Sequence, residues 1–430
     1  MALVVYKNAN ILDGTKDMTL QKNKSILVED GKIVKIIPAD DVVPEDAKIV
    51  DLNNKYVMPG LINLHCHLPG SGKSMNVGKA NTDLAGLINK LLKHKSGRAV
   101  LKKMCYKSAK AALLSGVTTI RTVGGIDTLD SQLRDEINAG KLTGPNILAA
   151  DKAVSVPGGH MAGLLAYAAT SPEEAAGYVD EIAKSSPDLI KLMVTGGVLD
   201  ADESGTPGAM KMTEDEIKAA CEKAHELGLY VAAHVESAEG VRASLINGVN
   251  TIEHGATLDE ELIALFKEKD ASLICTLSPA MPQKLLPADK LPDEKSKING
   301  TIVCDGIINA AKSAIANDIT IGLGNDAGCP YTTHYDFWRE LVYFSKYIEV
   351  DALKTIHIAT QGNAEIAGVE ELTGSIQPGR LADMIVLEQN PAENLSILRN
   401  PAMVIKSGMI VKGKFKRYKN VDEVLDGMKI

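Results

Sequence analysis

The chain has 430 residues, of which 45% are hydrophobic and 24% are charged, so it can bury a large core. Its formal net charge of −8 argues against nucleic acid as a partner, because a phosphate backbone attracts basic surfaces. No apolar run reaches the roughly 18 residues of a membrane span. The six cysteines are scattered and form no CxxC motif, which fits a reducing compartment. We therefore expect a cytoplasmic protein with no membrane or nucleic-acid partner.

Both ends of the chain contain short strand-like segments separated by turns. Near the N-terminus these segments are 3–6, 25–29 and 33–37, with Asp30-Gly31 as a hairpin turn. Near the C-terminus they are 383–387, 401–406 and 409–411. The pattern predicts a small β-sandwich built from both chain ends, residues 1–58 plus 372–420, followed by a tail at 421–430.

Residues 59–371 alternate between helix-like and strand-like patterns. Thr213 and Glu216 form a capping-box pattern that begins a helix ending near Gly228. The further helices expected are 101–115, 237–248, 259–270 and 299–317, and the strands are 117–120, 188–194, 230–235, 251–254, 272–276 and 320–323. This alternation predicts an α/β fold with parallel strands, and the length favours a (β/α)8 TIM-type barrel. A doubly wound open sheet is the alternative.

Side chains that can bind metal follow several of these strands. His65 and His67 are two positions apart in a strand segment, so both point to one face. His234 and His254 each end a strand, and Asp326 follows another. Active sites of (β/α)8 barrels lie at the C-terminal ends of the strands, so we expect these groups to converge. Imidazole and carboxylate ligands suit zinc and similar ions.

Two further residues in strands have less usual environments. Lys191 lies in an apolar strand segment, where a bare ammonium is costly to desolvate. It must pair with a carboxylate, have its charge chemically changed, or reach solvent from the strand end. Tyr230 begins the strand that ends at His234, and we predict that it lies in the core.

Six segments together resemble the amidohydrolase superfamily, and most closely its prolidase-like branch of Xaa-Pro dipeptidases and N-acyl-amino-acid hydrolases, which is related to imidazolonepropionase. These segments are PGLINLHCH, IKLMVTGGV, VAAHVES, TIEHG, NDAG and GSIQPGRLADMIVL. The resemblance implies two divalent ions of the zinc type, bound by His65, His67, Lys191, His234, His254 and Asp326. It also implies that Lys191 is carboxylated to a carbamate that bridges the ions, and that Asp326 moves protons.

The chemistry expected from this resemblance is hydrolysis of a C–N bond. Two cations would lower the pKa of a shared water from about 16 towards neutrality, giving a metal-bound hydroxide. Asp326 would take the proton of the water and deliver it to the leaving nitrogen. The expected partner is a small-molecule amide, such as an Xaa-Pro dipeptide or an N-acyl amino acid, and a homo-oligomer is compatible with the sequence. The alternatives are a ring-opening cyclic amidase, a mononuclear deaminase and a non-catalytic binding protein.

Three more residues are candidates for contact with the substrate. His160, in SVPGGHMAG, matches a loop histidine of the family and is predicted to face the substrate carbonyl as a catalytic and binding group. His334 resembles another loop histidine and is predicted to contact the substrate. Arg121 could bind a substrate carboxylate, and a structural ion pair is the alternative. The Pro-rich segment 279–292 is predicted to form a lid or rim.

Overall fold

The computed structural model describes residues 3–73, 84–198, 200–201 and 203–428, so the last two residues of the predicted tail lie outside the described part. The strands are β1 Val4–Ile11, β2 Gln21–Glu29, β3 Lys32–Pro38, β4 Lys48–Asp51, β5 Tyr56–Pro59, β6 Leu61–Cys66, β7 Val117–Thr122, β8 Asn146–Ala149, β9 Ala153–Ser155, β10 Ala166–Ala168, β11 Leu189–Met193, β12 Tyr230–Val235, β13 Thr251–His254, β14 Ser272–Cys275, β15 Ile321–Leu323, β16 Met384–Leu387, β17 Met403–Lys406 and β18 Met409–Ile410.

Helices occupy most of the remaining regular structure. They are α1 Leu84–Leu92, α2 Lys95–Leu114, α3 Leu129–Asn138, α4 Pro172–Ala183, α5 Glu214–Glu226, α6 Ala238–Ile246, α7 Glu260–Glu268, α8 Leu277–Leu285, α9 Glu294–Ala316, α10 Phe337–Ile348, α11 Ala352–His357, α12 Asn363–Ile366 and α13 Lys419–Asp426. Within the described ranges, every helix is too short or too polar to span a membrane.

One compact unit contains both ends of the predicted sandwich. Its ranges are Met1–Asn63, Lys110–Ile120 and Tyr335–Lys416. An eight-stranded sheet has the order β18-β17-β16-β5-β1-β2-β3, with β4 also paired to β1. Antiparallel pairing of β16 with β5 places Met384 opposite Pro59 and so joins segments from the two chain ends. The division of this sheet into the two layers of a sandwich stays a prediction.

The core of this unit also draws on both chain ends. Side chains that point to one face of the sheet pack together, because successive side chains of a strand alternate between faces. The largest members of this cluster are Tyr6, Ile11, Ile26, Ile33, Met384 and Ile405. Burial of this shared apolar surface stabilises the pairing of the distant chain segments.

The second compact unit contains the predicted metal ligands. Its ranges are Leu64–Ala109, Arg121–His334 and Arg417–Ile430. A seven-stranded sheet has the order β10-β9-β11-β12-β13-β14-β15, and every neighbouring pair in it is parallel. Strands β6, β7 and β8 form a further sheet. Helices α5, α6, α7 and α9 connect successive strands of the large sheet, which confirms the predicted α/β alternation.

Local signals explain where the predicted elements agree with the structure and where they differ. The capping box of α5 is present, since the Thr213 side chain accepts from the backbone of Glu216 and the Glu216 side chain accepts from that of Thr213. Helix α9 begins earlier than predicted because Asp293 caps it. Helix α8 was not predicted, since Pro282 lies inside it. The core prediction for Tyr230 is wrong: this residue is 65% exposed at the start of β12.

Candidate active site

The second unit contains a cavity of about 550 Å³. All six predicted metal ligands line it, and so does His160. The two other predicted substrate contacts, Arg121 and His334, are not among the described residues that line it. The wall also includes the apolar side chains of Ile88 and Met161, so the cavity combines a polar end with an apolar lining.

Five of the six candidate ligands lie near or just beyond the C-terminal ends of strands, among them His67 directly after β6, and Lys191 lies in the middle of β11. His65 lies near the end of β6, Lys191 in β11, His234 in β12 and His254 at the end of β13, while Asp326 follows β15. The backbone N–H of Asp326 donates to the carbonyl of His65 (2.8 Å). His254 and Asp326 have positive φ angles of 66° and 53°. Such backbone strain costs about 1–3 kcal/mol per residue and is concentrated at functional sites.

A buried ion-pair chain orients His65. Its Nδ1 lies 2.7 Å from Oε2 of Glu253, and Nη2 of Arg121 lies 2.7 Å from the other carboxylate oxygen. Burial would raise the pKa of Glu253, but Arg121 and His65 lower it, so the carboxylate is ionised. With Nδ1 donating to Glu253, Nε2 of His65 is the nitrogen that carries the lone pair a metal needs.

This geometry corrects the predicted role of Arg121. Its Nε donates to the carbonyl of Leu64 (2.7 Å), and its Nη1 lies 3.3 Å from the hydroxyl of Thr251. The side chain is only 5% exposed. Because the guanidinium is committed to Glu253 and neighbouring oxygens, the structural ion pair is favoured over a contact with the substrate carboxylate.

Asp326 faces His65 in β6 and His67 directly after that strand. Its Oδ1 lies 3.2 Å from Nε2 of His67 and 3.5 Å from Nε2 of His65. Nδ1 of His67 donates to the carbonyl of Gly124 (2.8 Å), which fixes the ring. Burial would raise the pKa of Asp326, but His65 and His67 lower it well below its usual range. Burial lowers the pKa of His65 to about 4, so its imidazole is neutral, the form that binds metals.

His234 and His254 lie next to His65, so that neighbouring imidazoles line one side of the cavity. Nδ1 of His254 lies 2.7 Å from the hydroxyl of Thr276, and the ring centroids of His234 and His254 are 4.7 Å apart. Burial lowers the pKa of both imidazoles well below the usual range. The ligand atoms of His65, His254 and Asp326 all lie within 4.8 Å of one another. This separation is small enough for one ion to contact all three.

Lys191 has the most unusual environment of the six. Its side chain is 1% exposed, and its Nζ has no hydrogen-bond partner in the part of the chain that the structure describes. Burial lowers the pKa of Lys191 to about 8, although Glu253 and Asp326 act in the opposite direction. The amine does not reach solvent, so the alternative of a lysine extending from the strand end does not hold.

His160 is held at the cavity by a loop that the sequence reasoning did not connect to it. Its Nδ1 lies 2.8 Å from Oδ2 of Asp200, and its ring stacks on His234 with centroids 4.1 Å apart. Asp200 also accepts from the backbone N–H of Gly197. A Cβ at Gly197 would lie 2.9 Å from Cε1 of His160, so this close approach requires glycine.

His334 lies behind the wall of the cavity. Its Nε2 donates to the carbonyl of Gly70 (3.0 Å), and Gly70 itself lines the cavity. Burial lowers the pKa of His334 to about 4. The geometry therefore favours support of Gly70 over the predicted direct contact between His334 and the substrate.

The sequence reasoning missed Glu236, which lies two residues after His234 and lines the cavity. Its nearest ligand oxygen lies within 4.8 Å of ligand atoms of His234 and His254. Burial and the nearby charge of Asp200 raise the pKa of Glu236 well above its usual range. The available signal was the segment HVES, in which an acidic residue follows a candidate ligand at the end of an apolar strand.

Comparisons with known proteins agree with this arrangement. The model of the Amidohydrolase family matches residues 56–415. The chain belongs to the amidohydrolase family. This amidohydrolase is 26% identical to the ochratoxinase of Aspergillus niger over 91% of its own length and 83% of that protein.

Solved structures place the amidohydrolase in the prolidase-like branch. One is a protein from Bifidobacterium longum assigned as a prolidase, with 35% identity, a TM-score of 0.86 and coverage of 99% and 98% of the two chains. Another is an Xaa-Pro dipeptidase with bound methionine in its active site, with 29% identity, a TM-score of 0.82 and coverage of 96% and 100%. The family and these relatives identify the chain as a hydrolase that acts on carbon–nitrogen bonds.

Proposed function

We propose that this amidohydrolase cleaves the amide or peptide bond of a small substrate, such as an Xaa-Pro dipeptide or an N-acyl amino acid, with two divalent metal ions. One observation carries the proposal. Four imidazoles, an ionised carboxylate and the buried amine of Lys191 converge on one cavity. The likeness to an Xaa-Pro dipeptidase supports the substrate class.

The donor set fits such ions. Imidazoles and a carboxylate suit zinc. From the family resemblance we assign His65, His67 and Asp326 to one ion and His234 and His254 to the other, and His254 also lies within 4.8 Å of the ligand atoms of His65 and Asp326. When bound, the ions lower the pKa of a nucleophilic water and polarise the scissile carbonyl. The strained, buried positions of Asp326 and His254 keep these groups directed at the cavity.

Lys191 would become a metal ligand by carboxylation. Its neutral amine adds to carbon dioxide: an N–C bond forms, one C=O π pair moves to oxygen, and the proton released from nitrogen leaves through the cavity that Lys191 lines, so the product is a carbamate anion. The lowered pKa of about 8 favours the neutral amine that this step requires. As a carbamate, Lys191 would offer the ions an anionic ligand in place of an amine that has no hydrogen-bond partner within the described ranges.

The remaining steps belong to residues of the chain. Asp326 accepts a proton from the attacking water and delivers it to the leaving nitrogen, which leaves poorly as an anion. His160 would donate a hydrogen bond from Nε2 to the carbonyl oxygen as negative charge develops there, in the imidazolium form that also donates from Nδ1 to Asp200. The apolar wall that includes Ile88 and Met161 limits access of bulk water.

The same proposal includes closure of the strands into one (β/α)8 barrel. The backbone of Asp326, beyond β15, donates to His65 in β6, and Cys66 forms a bridge with Ala327. At the other boundary, the N–H of Asp188 donates to the carbonyl of Ala149 at the end of β8 (2.8 Å). These links support a closed ring in which the strand ends surround the cavity.

The test combines metal analysis with activity. Wild type and Lys191→Ala are assayed for metal content and for hydrolysis of a panel of Xaa-Pro dipeptides and N-acyl amino acids. We expect about two ions per chain in the wild type, and loss of both metal and turnover in the variant. Lys218→Ala is the matched control, because the Lys218 side chain is 59% exposed.

Three outcomes would contradict this proposal. One ion per chain with a fully active Lys191→Ala variant would exclude the carbamate and favour a mononuclear amide hydrolase. One ion per chain with no hydrolysis of any amide in the panel would favour a mononuclear deaminase. No metal and no hydrolysis of any amide in the panel would favour a binding protein.

A further inference from the structure

Glu236 projects into the cavity from a fixed position on the backbone. Its N–H donates to the hydroxyl of Thr195 (3.1 Å). The carbonyl of Glu236 lies 2.4 Å from where a Cβ of Gly208 would be, so this neighbouring loop packs tightly against it. These two contacts fix the backbone of Glu236, and so the point from which its side chain enters the cavity.

The carboxylate of Glu236 is incompletely paired. Val198 provides a backbone hydrogen bond to it, and Oε2 is buried without a hydrogen-bond partner among the residues that the structure describes, while the residue as a whole is partly exposed and lines the cavity. Of the other two carboxylates of the lining, Asp200 is paired with His160, and Oδ1 of Asp326 lies 3.2 Å from His67 and 3.5 Å from His65 but, like Oε2 of Glu236, has no hydrogen-bond partner among the described residues. A buried carboxylate with an unmatched oxygen has a strong preference for a cationic hydrogen-bond donor.

Distances place this carboxylate beside the expected reaction centre. One of its oxygens lies within 4.8 Å of ligand nitrogens of both His234 and His254. In an aminoacyl compound, the α-nitrogen lies about 2.5 Å from the carbonyl carbon, given standard bond lengths and angles. A carbonyl bound at the histidines therefore brings an α-ammonium group within reach of Glu236.

Apart from the two ions of the proposed function, the side chains of the wall offer a cationic group of the substrate more partners than an anionic one. Of the described residues lining the cavity, Lys191 is the only lysine or arginine, and it belongs to the proposed ligand set. Asp200 adds a second negative charge close to Glu236. The rest of the wall includes Leu164, Val303 and Ile307, which suit an apolar side chain.

We propose that Glu236 binds the α-ammonium group of the substrate, so that the enzyme selects unblocked dipeptides with an apolar first residue over N-acyl amino acids. This inference rests on the proposed amide hydrolysis and chooses between its two substrate classes. In this proposal Glu236 is a specificity-determining residue, and the metal analysis below distinguishes this role from a share in an ion held by its neighbours His234 and His254.

The experiment compares Met-Pro with N-acetyl-Met-Pro, which differ by the charge on one nitrogen. We expect the metal-loaded wild type to prefer Met-Pro. Glu236→Gln lowers kcat/KM for Met-Pro by about 10- to 100-fold, mainly through KM, and leaves the value for the acetylated compound nearly unchanged. Glu236→Asp, which keeps the charge, retains part of the preference. Glu239→Gln is the matched control, because Glu239 is exposed in the first turn of α6.

Metal content and thermal unfolding are measured on the same samples. The inference requires that Glu236→Gln retain the wild-type metal content and fold. Loss of an ion in this variant would instead make Glu236 a metal ligand and overturn the inference. Equal hydrolysis of both compounds by the wild type, or an equal loss for both in Glu236→Gln, would also overturn it while leaving amide hydrolysis intact. If the wild type hydrolyses no amide at all, both proposals fall.

Discussion

Replacing Glu253 by glutamine tests how the buried ion-pair chain supports the site. Glu253 is 0% exposed, and its two oxygens face Nδ1 of His65 and Nη2 of Arg121, each at 2.7 Å. Glutamine has one acceptor oxygen and one donor nitrogen, so it cannot accept from both neighbours. Either the guanidinium of Arg121 loses its counter-charge or His65 loses the acceptor that fixes its tautomer.

The expected cost follows from the burial of Arg121. Removing one partner of a buried ion pair destabilises a protein by about 3–5 kcal/mol. For a chain of 430 residues, an unfolding entropy of about 2.1 cal/mol/K per residue converts this cost into a fall in Tm of about 3–6 °C. Loss of the hydrogen bond to His65 should also weaken metal binding by about 10- to 100-fold.

Thermal unfolding followed by circular dichroism and metal titration of the same variant measure the two effects. Glu261→Gln is the matched control, since Glu261 forms a two-contact pair with Arg242 at the surface. We expect the control to leave Tm unchanged, because solvent replaces the lost interaction. A Glu253→Gln variant with wild-type Tm and wild-type metal affinity would refute the assigned role of the ion-pair chain.

Three further predictions concern the cavity and its wall. Gly197→Ala should displace the His160 ring and lower kcat/KM about 10-fold or more without loss of metal, because the new Cβ would lie 2.9 Å from Cε1; unchanged kinetics would contradict it. Asp326→Asn should retain metal and lose hydrolysis of the amide substrates. Hydrolysis at the wild-type rate by this variant would exclude the assigned role of Asp326 in proton transfer. The pKa of His334 falls from 6.5 to about 4 on folding, so the unfolded chain binds more protons and stability should decline as pH falls from about 6.5 to about 4. Urea unfolding at pH 7 and pH 5 measures this slope, which His334→Gln should reduce.

The sequence alone predicted the six candidate ligands that the structure brings to one cavity. Polar residues at the ends of apolar strands, such as His234 and His254, can be read locally, because parallel strands place their C-terminal ends at one edge. The Thr213 capping box and the strand character of both chain ends were readable for the same reason, since capping and side-chain alternation depend on neighbours a few positions away.

Tertiary structure decided what each polar residue contacts. Arg121 and Glu253 are 132 positions apart, and no periodic pattern could indicate that they pair. The same limit applies to His160 with Asp200, and to His334, whose ring turns to the Gly70 carbonyl behind the cavity wall.

Glu236 shows most clearly the difference between what the sequence predicts and what the tertiary structure decides. Its position after His234 was visible in the sequence, but its buried oxygen without a hydrogen-bond partner in the described part of the chain was not. Capping and side-chain alternation depend on backbone geometry within one helix or strand, so they can be recognised from residues close together in the sequence. Pairing, burial and charge balance arise where distant elements meet, so they exist only once the chain has folded.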